Sequence, residues 1–513
     1  MEKSNEISLE KKIEQALALQ QNNQIDEAVT IFNEILSQYP QQPDALHGLG
    51  MAYAQQRNFT QATQYLAKAV KAAPNIAEFH NNLGNAYQAI GKINEALSHY
   101  HEALRLKATY PQAHNNLGTL LYRLGKFEEA ASHFQKSLRM NPHSVDTHYN
   151  LANCYIQLDR LLDSVAHYQE VLKATPNHLG ALHNLGITLC ALKRFNEALP
   201  LLTQVSEKEP SNLDALFHLG VIYSSLAQAQ DAINCYERVL AIDPHYANAH
   251  HNLATVYLHL NEREKALKHY QQAFTLQPYN KTAQHMIDAL SGKTHLEGAP
   301  LEYTQALFDQ YAYSYDSHVK AHLKYHVPQL LRDAVAPFVT TVKEPWTVLD
   351  LGCGTGLCAP LFSDVAGKLI GVDVSPNMIE VARQRGGYYK LYVMDALSFL
   401  SRHQSEYNLI ISADVFVYFG SLAEIFQACH RALKSQGLFC FSIEDLTAEE
   451  INASPDYPDY QLRKTGRYAH ASTYVHTLSE SSGFKIENNQ RNIIRYQEDA
   501  PVEGNIYVLR KLM

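Results

Sequence analysis

Residues 1–290 repeat one pattern of apolar and polar positions with a period of 34 residues. Small residues recur at one point of each period, at Ala16, Gly50, Gly84, Gly118, Ala152, Gly186, Gly220 and Ala254. A second small series stands at Ala28, Ala62, Ala96, Ala130, Ser164, Ala198, Ala232 and Ala266, and most periods then reach a proline, as at Pro74 and Pro142. Small residues let two helices approach closely and proline ends a helix, so each period predicts a helix pair. A constant period predicts a stacked solenoid.

The spacing resembles that of the tetratricopeptide repeat (TPR) family, in which helix–turn–helix units stack into a right-handed superhelix. The resemblance covers residues 9–278, and residues 282–290 would form a last helix that caps the exposed apolar face of the array. We therefore expect an all-α TPR domain over residues 1–290.

Asparagine recurs two residues before the first small position in several repeats, at Asn82, Asn116, Asn150, Asn184 and Asn252. In TPR geometry this position faces the concave groove, and a carboxamide can both donate to and accept from a peptide group. The series resembles that in the TPR array of O-linked N-acetylglucosamine transferases, which implies a protein or peptide partner. The alternative is that duplication spread one asparagine that hydrogen-bonds within the solenoid.

Histidine recurs two positions earlier, at His80, His114, His148 and His250. Metal ligands must converge on one ion at roughly 2.0–2.1 Å, whereas neighbouring repeats lie about 10 Å apart. We therefore expect these histidines to pack between helices, and we predict no metal site.

The pattern changes after residue 290, where residues 291–299 form a predicted linker. Over residues 300–513, apolar segments predict strands at 347–351, 369–372, 391–394, 409–412 and 438–443, and helical periodicity lies between several of them. This alternation predicts an α/β domain with a mostly parallel, Rossmann-like sheet. Two final apolar segments, 484–495 and 505–510, predict an antiparallel terminal hairpin.

A glycine-rich turn follows the first predicted strand of this domain, with Asp350 at the strand end and Gly352, Gly354 and Gly356 in the turn. A dinucleotide fingerprint would require a glycine at 357, where Leu357 stands. The spacing instead suits close approach of the backbone to a nucleoside that has no diphosphate.

Acids close the next two strands. Asp373 follows the glycine turn by about 20 residues, the sequence spacing at which a carboxylate accepts the ribose hydroxyls of a nucleoside. Asp395 closes the third strand and is placed to accept from an adenine amino group. This arrangement, continued by Ala396 and by Asp414 after the fourth strand, resembles class I S-adenosylmethionine-dependent methyltransferases. The resemblance implies S-adenosyl-L-methionine as cofactor. The alternative is that these acids only cap the helices that follow the strands. That alternative does not explain why all of them stand at the ends of successive strands.

The segment 307–316 resembles the lid helix of ubiquinone- and biotin-pathway methyltransferases, and the whole domain resembles bacterial methyltransferases fused to TPR arrays. By this resemblance, Tyr311 and Tyr315 would close over the methionine end of the cofactor. A general base is needed only if the acceptor arrives protonated, and we select His470 and Tyr468 as candidates.

The charge and composition of the chain limit which classes of function are possible. The chain has 513 residues, 46% hydrophobic and 19% charged, with a net charge of −9, which disfavours nucleic-acid binding. No apolar run is long enough to insert in a membrane, and the seven cysteines show no CxxC pair, so we expect a cytoplasmic protein, with unconventional secretion left open.

Three functions remain at this point. The first is a methyltransferase whose array recruits a protein or peptide acceptor, and the second is a small-molecule methyltransferase with the array as a docking scaffold. The third is an inactive methyltransferase fold that serves in protein interaction, against which the intact glycines and acids argue. The acceptor atom and the oligomeric state stay open.

Overall fold

The computed structural model divides into two compact units, Met1–Ile242 and Asp243–Met513. It describes residues 8–293, 296–312, 315–316, 319, 324–339, 344–453, 459–497 and 500–512, without the side chains of residues 310, 311 and 497. The predicted boundary, with one domain ending at residue 290 and the next beginning at residue 300, lies where the periodic sequence pattern stops. The division between the units comes earlier, and the last helices of the periodic region pack with the second unit, where Ala289 joins an apolar cluster with Leu462 and Tyr468.

The first unit consists of the predicted helix pairs. Its helices are α1 Leu9–Gln21, α2 Ile25–Gln38, α3 Pro43–Gln55, α4 Phe59–Ala72, α5 Ala77–Ala89, α6 Ile93–Leu106, α7 Pro111–Arg123, α8 Phe127–Met140, α9 Val145–Gln157, α10 Leu161–Ala174, α11 Leu179–Ala191, α12 Phe195–Lys208, α13 Leu213–Ser225 and α14 Ala229–Ile242. Their short connections produce antiparallel neighbours, as expected for stacked helical repeats.

The small residues of the first series face an aromatic or leucine side chain of the second helix. A Cβ on Gly84 would lie 2.7 Å from Cε1 of Tyr100, and a Cβ on Gly220 would lie 2.5 Å from Cε1 of Tyr236. The helices therefore approach as closely as the sequence pattern predicts.

The recurring histidines pair across the two helices of their repeats. Nδ1 of His114 lies 2.9 Å from Nδ1 of His133, and its Nε2 lies 3.1 Å from the carbonyl oxygen of Ala108. The pairs His80–His99, His148–His167 and His250–His269 repeat this geometry. These rings therefore hydrogen-bond between helices.

The second unit begins with α15 Ala247–His259, α16 Arg263–Leu276 and α17 Lys281–Leu290. Its α/β part contains α18 Leu301–Tyr311, α19 Val327–Val339, β1 Trp346–Leu351, α20 Ala359–Phe362, β2 Ala366–Asp373, α21 Pro376–Arg385, β3 Lys390–Val393, α22 Ala396–Leu400, β4 Tyr407–Ser412, α23 Ala423–Ala432, β5 Leu433–Glu444, α24 Ala448–Ala453, β6 Tyr460–Leu462, β7 Tyr468–His470, α25 Ser472–Ser481, β8 Phe484–Gln497 and β9 Ala500–Lys511. A 3-10 turn spans Phe416–Tyr418.

A seven-stranded sheet runs in the order β3-β2-β1-β4-β5-β9-β8. Strands β1 to β5 pair in parallel, whereas β9 is antiparallel to both β5 and β8. The predicted parallel sheet and terminal hairpin are confirmed. Sequence patterning missed the separate β6–β7 hairpin, because its strands have only three residues each.

Apolar side chains cover both faces of the sheet. Phe399, Phe426 and Phe441 belong to one core, and Leu331, Phe362 and Val508 belong to the other. This double burial explains why the parallel strands are almost continuously apolar. No helix among the described residues is long and apolar enough to cross a membrane.

Candidate functional site

A cavity lies at the carboxyl ends of the parallel strands, and its lining is mainly apolar and aromatic with a few acids, as in small-molecule sites. Open parallel sheets bind ligands at this edge, where the strand order reverses between β1 and β4. Its lining residues are Leu301, Thr304, Phe308, Tyr315, Gly352, Gly354, Val372, Asp373, Val374, Met378, Met394, Asp395, Ala396, Ala413, Asp414, Val415, Tyr418 and Phe419. The floor is therefore the sheet edge, and α18 forms part of the wall.

The glycine turn forms one side of this cavity. Gly352 has φ +72° and Gly354 has φ +52°, values that glycine adopts without strain. A Cβ on Gly352 would stand 2.3 Å from Cγ2 of Val415, another lining residue. Gly356 (φ +86°) does not line the cavity and instead faces Tyr388. The structure thus brings two of the three predicted glycines to the cavity.

Asp373 ends β2 and lines the cavity while only 8% exposed. The Gly354 N–H donates to its Oδ2 and the Ser375 N–H donates to its Oδ1, both at 2.9 Å. Burial raises the pKa of this carboxyl to about 6, and the backbone hydrogen bonds oppose that rise. Each oxygen retains a further lone pair, so the carboxylate can still accept from a ligand.

Asp395 and Ala396 line the cavity at the end of β3. Oδ1 of Asp395 also accepts from the Ser398 N–H at 2.9 Å, so this residue is the N-cap of α22. The capping and ligand-binding interpretations are compatible here, because the second carboxylate oxygen takes no part in the cap.

Asp414 lines the cavity after β4 with φ +60°, a left-handed conformation for a non-glycine residue. Its Oδ2 lies 2.7 Å from Arg467 NH2. Backbone in this region is strained and is held only where the surroundings enforce it. The Asp414 N–H donates to Ser442 Oγ at 2.8 Å and the carboxylate pairs with Arg467, so both the backbone and the side chain of Asp414 are held.

Asp350 occupies a different place from the other predicted acids. It is fully buried, does not line the cavity, and accepts a hydrogen bond from Tyr388 OH at 2.6 Å. Its Oδ1 has no hydrogen-bond partner among the residues that the structure describes, and burial raises its pKa to about 7. Asp350 therefore lies behind the glycine turn, at a distance from the ligand space.

The lid prediction concerns Tyr311 and Tyr315. Tyr315 lines the cavity, and its ring lies 6.4 Å from that of Phe308. Burial raises the pKa of its hydroxyl, so the group is protonated at neutral pH. The side chain of Tyr311 lies outside the described residues. Asp309, on the same helix, accepts from Ser375 Oγ at 2.5 Å and so ties α18 to the end of β2.

The two predicted general-base candidates lie away from the cavity. His470 is fully buried, its Nε2 lies 3.0 Å from Gly420 O, and burial lowers its pKa to about 4. Tyr468 is fully buried in the cluster with Ala289 and Leu462. Both stand on the small hairpin and neither lines the cavity, although His470 also hydrogen-bonds the backbone of the lining residue Phe419. Their selection as reacting groups stays a prediction, and we propose packing roles for both residues.

Sequence reasoning missed a buried charge network beside the cavity. Arg467 NE lies 2.9 Å from Glu444 Oε1, and its NH1 donates to Tyr418 OH at 3.2 Å. Burial of Glu444 would raise its pKa, but Arg495, Arg467 and Arg463 more than offset that and hold it at about 2. The network fixes Asp414 and Tyr418, which both line the cavity. In the sequence, Arg467 is the one residue of the segment 466–470 that indicates this charge network.

The predicted asparagine series donates hydrogen bonds within the array. Asn82 Nδ2 lies 2.9 Å from His47 Nε2, Asn116 donates to Asn81 Oδ1 at 3.0 Å, and Asn184 donates to Asn153 Oδ1 at 3.0 Å. Asn150 and Asn252 are partly buried, and Asn252 also has an interaction partner. These bonds favour the interpretation that the asparagine N–H groups stabilise the solenoid. Whether the same residues also bind a peptide in the concave groove is not tested by the structure.

The described residues contain no group of three or more His, Cys, Asp or Glu side chains arranged to hold a metal ion. The described lining also contains no Lys, Arg or His. The cavity is therefore apolar and aromatic, with acids at three strand ends.

Family models match both parts of the chain. A model described as a methyltransferase domain matches residues 348–437, and tetratricopeptide repeat models match residues 178–207 and 213–278. The model of the tetratricopeptide repeat protein 21 C-terminal ARM domain matches residues 2–180.

Two curated relatives are methyltransferases. The malonyl-[acyl-carrier protein] O-methyltransferase of Acetivibrio thermocellus is 29% identical over 206 residues, which cover 38% of this chain and 71% of the relative. The ubiquinone biosynthesis O-methyltransferase of Thiobacillus denitrificans is 25% identical over 127 residues, covering 24% of this chain and 55% of the relative. The chain thus spans only about half the length of the second relative.

Among solved structures, the TPR protein YrrB is 23% identical with a TM-score of 0.34, covering 36% of this chain and 96% of YrrB. Tetratricopeptide repeat models and a methyltransferase domain model thus match different parts of the chain, the first before residue 279 and the second within residues 348–437.

Proposed function

We propose that the second unit transfers a methyl group from S-adenosyl-L-methionine and that the repeat array recruits a protein or peptide carrying the acceptor. The observation that carries the proposal is the convergence of Gly352, Gly354, Asp373 and Asp395 on one cavity at successive strand ends. The TPR matches favour a protein partner, because stacked repeats create extended binding surfaces.

In this proposal, Asp373 accepts the two ribose hydroxyls through the lone pairs that its backbone bonds leave. Asp395 accepts from the adenine amino group, and the apolar side chains of Met378, Met394 and Val415 enclose the base. Gly352 and Gly354 let the amino-acid tail lie against the backbone. Tyr315 closes the cavity from the α18 side.

Methyl transfer is an in-line displacement from a sulfonium, whose leaving group is already good. The protein therefore mainly orients the two reactants and excludes water. Leu301, Phe308, Tyr418 and Phe419 form an apolar and aromatic wall suited to that task. If the acceptor arrives protonated, Asp414 is a carboxylate of the described lining whereas His470 is not, and we propose proton handling at Asp414.

The cofactor assignment is tested by titrating the full-length protein with S-adenosylmethionine in a calorimeter. Replacing Asp373 by Ala removes hydrogen bonds to a charged acceptor worth roughly 1.5–3 kcal/mol each, so affinity is expected to fall about a hundredfold. Asp146→Ala, an exposed acid of the array, is the matched control. Unchanged affinity for Asp373→Ala would refute the cofactor assignment.

The array assignment is tested separately. Replacing Asn116, Asn150 and Asn184 together by Ala is expected to reduce the amount of protein that the chain captures from its host lysate, while cofactor affinity stays unchanged. An unchanged captured set would make the series purely structural, in line with the hydrogen bonds of Asn116 and Asn184.

The second candidate function is a small-molecule methyltransferase with a docking scaffold. It is favoured by the relative named for ubiquinone biosynthesis, whereas the relative named for malonyl-[acyl-carrier protein] favours a protein-borne acceptor. Incubation with methyl-labelled cofactor and lysate separates the two. Label in protein bands supports the first function, and label only in metabolites supports the second.

A further inference from the structure

The two sides of the cavity are lined by the ends of different strands. Asp373 and Asp395 line it at the ends of β2 and β3. Asp414 and Tyr418 line it after β4, which lies on the other side of β1 in the sheet. Because the proposed function assigns the nucleoside to the first two acids, the side with Asp414 and Tyr418 is the one that remains for the methyl acceptor.

Arg467, in the hairpin between β6 and β7, contacts both lining residues of that acceptor side. Its Nη2 lies 2.7 Å from Asp414 Oδ2, and its Nη1 donates to Tyr418 OH at 3.2 Å. The guanidinium carbon also lies 5.3 Å from the centre of the Tyr418 ring. One planar guanidinium therefore holds a carboxylate and an aromatic ring at once, which the compact ammonium of a lysine cannot do.

The charges around Arg467 are costly to bury, which indicates a role beyond stability. The side chain of Glu444 is 1% exposed, and it pairs with Arg463 and Arg495 as well as with Arg467. Buried ion pairs are weak evidence for stability, because the loss of hydration offsets much of their attraction. Asp414 adds a left-handed backbone at φ +60°. Such strain is typical of functional sites.

The hairpin that carries Arg467 packs on α17, the last helix of the periodic region. Nε2 of His285 lies 3.0 Å from the carbonyl oxygen of Gly466, which precedes Arg467 in the chain. Tyr468, which follows Arg467, shares an apolar cluster with Ala289 of the same helix. Both chain neighbours of Arg467 therefore contact α17, while the guanidinium itself reaches the cavity lining.

We propose that Arg467 is a positioning residue for methyl transfer, and that α17 orients it through the β6–β7 hairpin. Arg467 holds the carboxylate of Asp414 and the ring of Tyr418 where the acceptor is received. A shift of the hairpin on α17 moves Arg467 and these two lining residues with it, and small misplacements of reacting groups lower rates strongly. The inference rests on the proposed function, since it concerns the methyl-transfer step.

The test measures the initial rate of methyl transfer from methyl-labelled S-adenosylmethionine to host lysate by the full-length protein, at varied cofactor concentration. Arg467→Lys keeps the charge and loses the planar fork. The rate at saturating cofactor is therefore expected to fall about thirtyfold while the KM for the cofactor stays unchanged. A loss of folded protein that also disturbed the cofactor side would change both quantities.

Arg463→Lys is the matched control for the charge network. Arg463 pairs with the same Glu444 at 2.9 Å and does not line the cavity. Its variant is expected to melt at a lower temperature, as Arg467→Lys does, and to keep a rate near that of the wild type. An unchanged rate in Arg467→Lys, or equal losses of rate in the two variants, would overturn the proposal.

A double-mutant cycle tests the coupling to α17 without a change in the charge network. His285→Leu removes the donor to Gly466 O and is expected to lower the rate about fivefold. In the Arg467→Lys background the same change is expected to lower the rate no further, because the two residues act through one hairpin. A full rate in His285→Leu, or equal losses in both backgrounds, would contradict the coupling. Wild-type protein that binds no cofactor and transfers no label would instead remove the proposed function, and this inference with it.

Discussion

His470 allows a quantitative test of the conclusion that β7 is structural. In the folded protein burial lowers its pKa to about 4, from the ordinary histidine value of 6.5. A histidine with a lowered folded pKa binds protons mainly in the unfolded state as the pH falls. Its neutral form therefore contributes stability that is complete above pH 6.5, is lost between pH 6.5 and 4, and changes no further below pH 4.

The expected change in the free energy of unfolding follows from how far the pKa of His470 is lowered. A difference of about 2.5 pH units corresponds to roughly 3.4 kcal/mol of unfolding free energy below pH 4. At pH 5 the same linkage removes about 2 kcal/mol relative to pH 7.5. Because His470 is fully buried, little of this is screened by solvent.

The chain provides its own reporter for the measurement. Trp346 is the single tryptophan and begins β1, so its fluorescence follows unfolding of the sheet. Urea unfolding of the wild type and His470→Gln is compared at pH 7.5 and pH 5. Glutamine does not titrate, so the stability advantage of the wild type is expected to shrink by about 2 kcal/mol at pH 5.

Other titrating groups, such as Asp350 and Asp373, are common to both proteins and cancel in that difference. An equal pH dependence in the wild type and the variant would refute the reasoning. That result would mean that His470 titrates as a solvated histidine, and the general-base prediction would return.

Further predictions concern the cavity and the array. Gly352→Ala, whose Cβ would stand 2.3 Å from Val415 Cγ2, is expected to abolish cofactor binding in calorimetry, and near-wild-type affinity would contradict it. Because the pKa of Asp373 is about 6, cofactor affinity is expected to fall about tenfold from pH 7.5 to pH 5 as the carboxyl gains a proton, and Asp373→Asn should not show this change. Gly220→Ala, with a Cβ 2.5 Å from Tyr236 Cε1, is expected to lower the free energy of unfolding by about 1–3 kcal/mol in circular-dichroism melting, and an unchanged melting curve would contradict it.

The strand-end part of the candidate site was predictable because its signals are local in the chain. The glycine turn and Asp373 each follow directly from the end of an apolar strand, and parallel strand ends meet at one edge. The buried centres of β1, β2, β4 and β5 were predicted for the same reason, whereas β2 and β5 begin three and five residues before their predicted starts, in stretches that include exposed residues. A buried strand is one of the strongest patterns in a sequence.

The acceptor side was not predictable because its contacts join distant segments. Arg467 reaches Asp414, a pair separated by more than fifty positions, and His285 reaches Gly466 across 181 positions. Nothing in the residues around 470 distinguishes a histidine that faces a ligand from one that faces Gly420 O. The burial of Asp350 was hidden in the same way, because Tyr388, its partner, comes from the loop before β3.

The asparagine series shows a different limit of prediction from sequence. A carboxamide offers donors and an acceptor, so the same residue serves the solenoid or a bound peptide, and its period alone does not separate these uses. In the structure, Asn116 and Asn184 use their donors inside the array. The Nδ2 group of Asn184 lies within hydrogen-bond distance of Asn153, Tyr149 and Tyr168, so a bound peptide would meet mainly its carbonyl oxygen and must approach this residue with an N–H group. Asn116 uses one of its two N–H donors, on Asn81, and still offers the other to a peptide carbonyl. If the groove binds a peptide through this series, the two positions therefore select different groups of the peptide backbone.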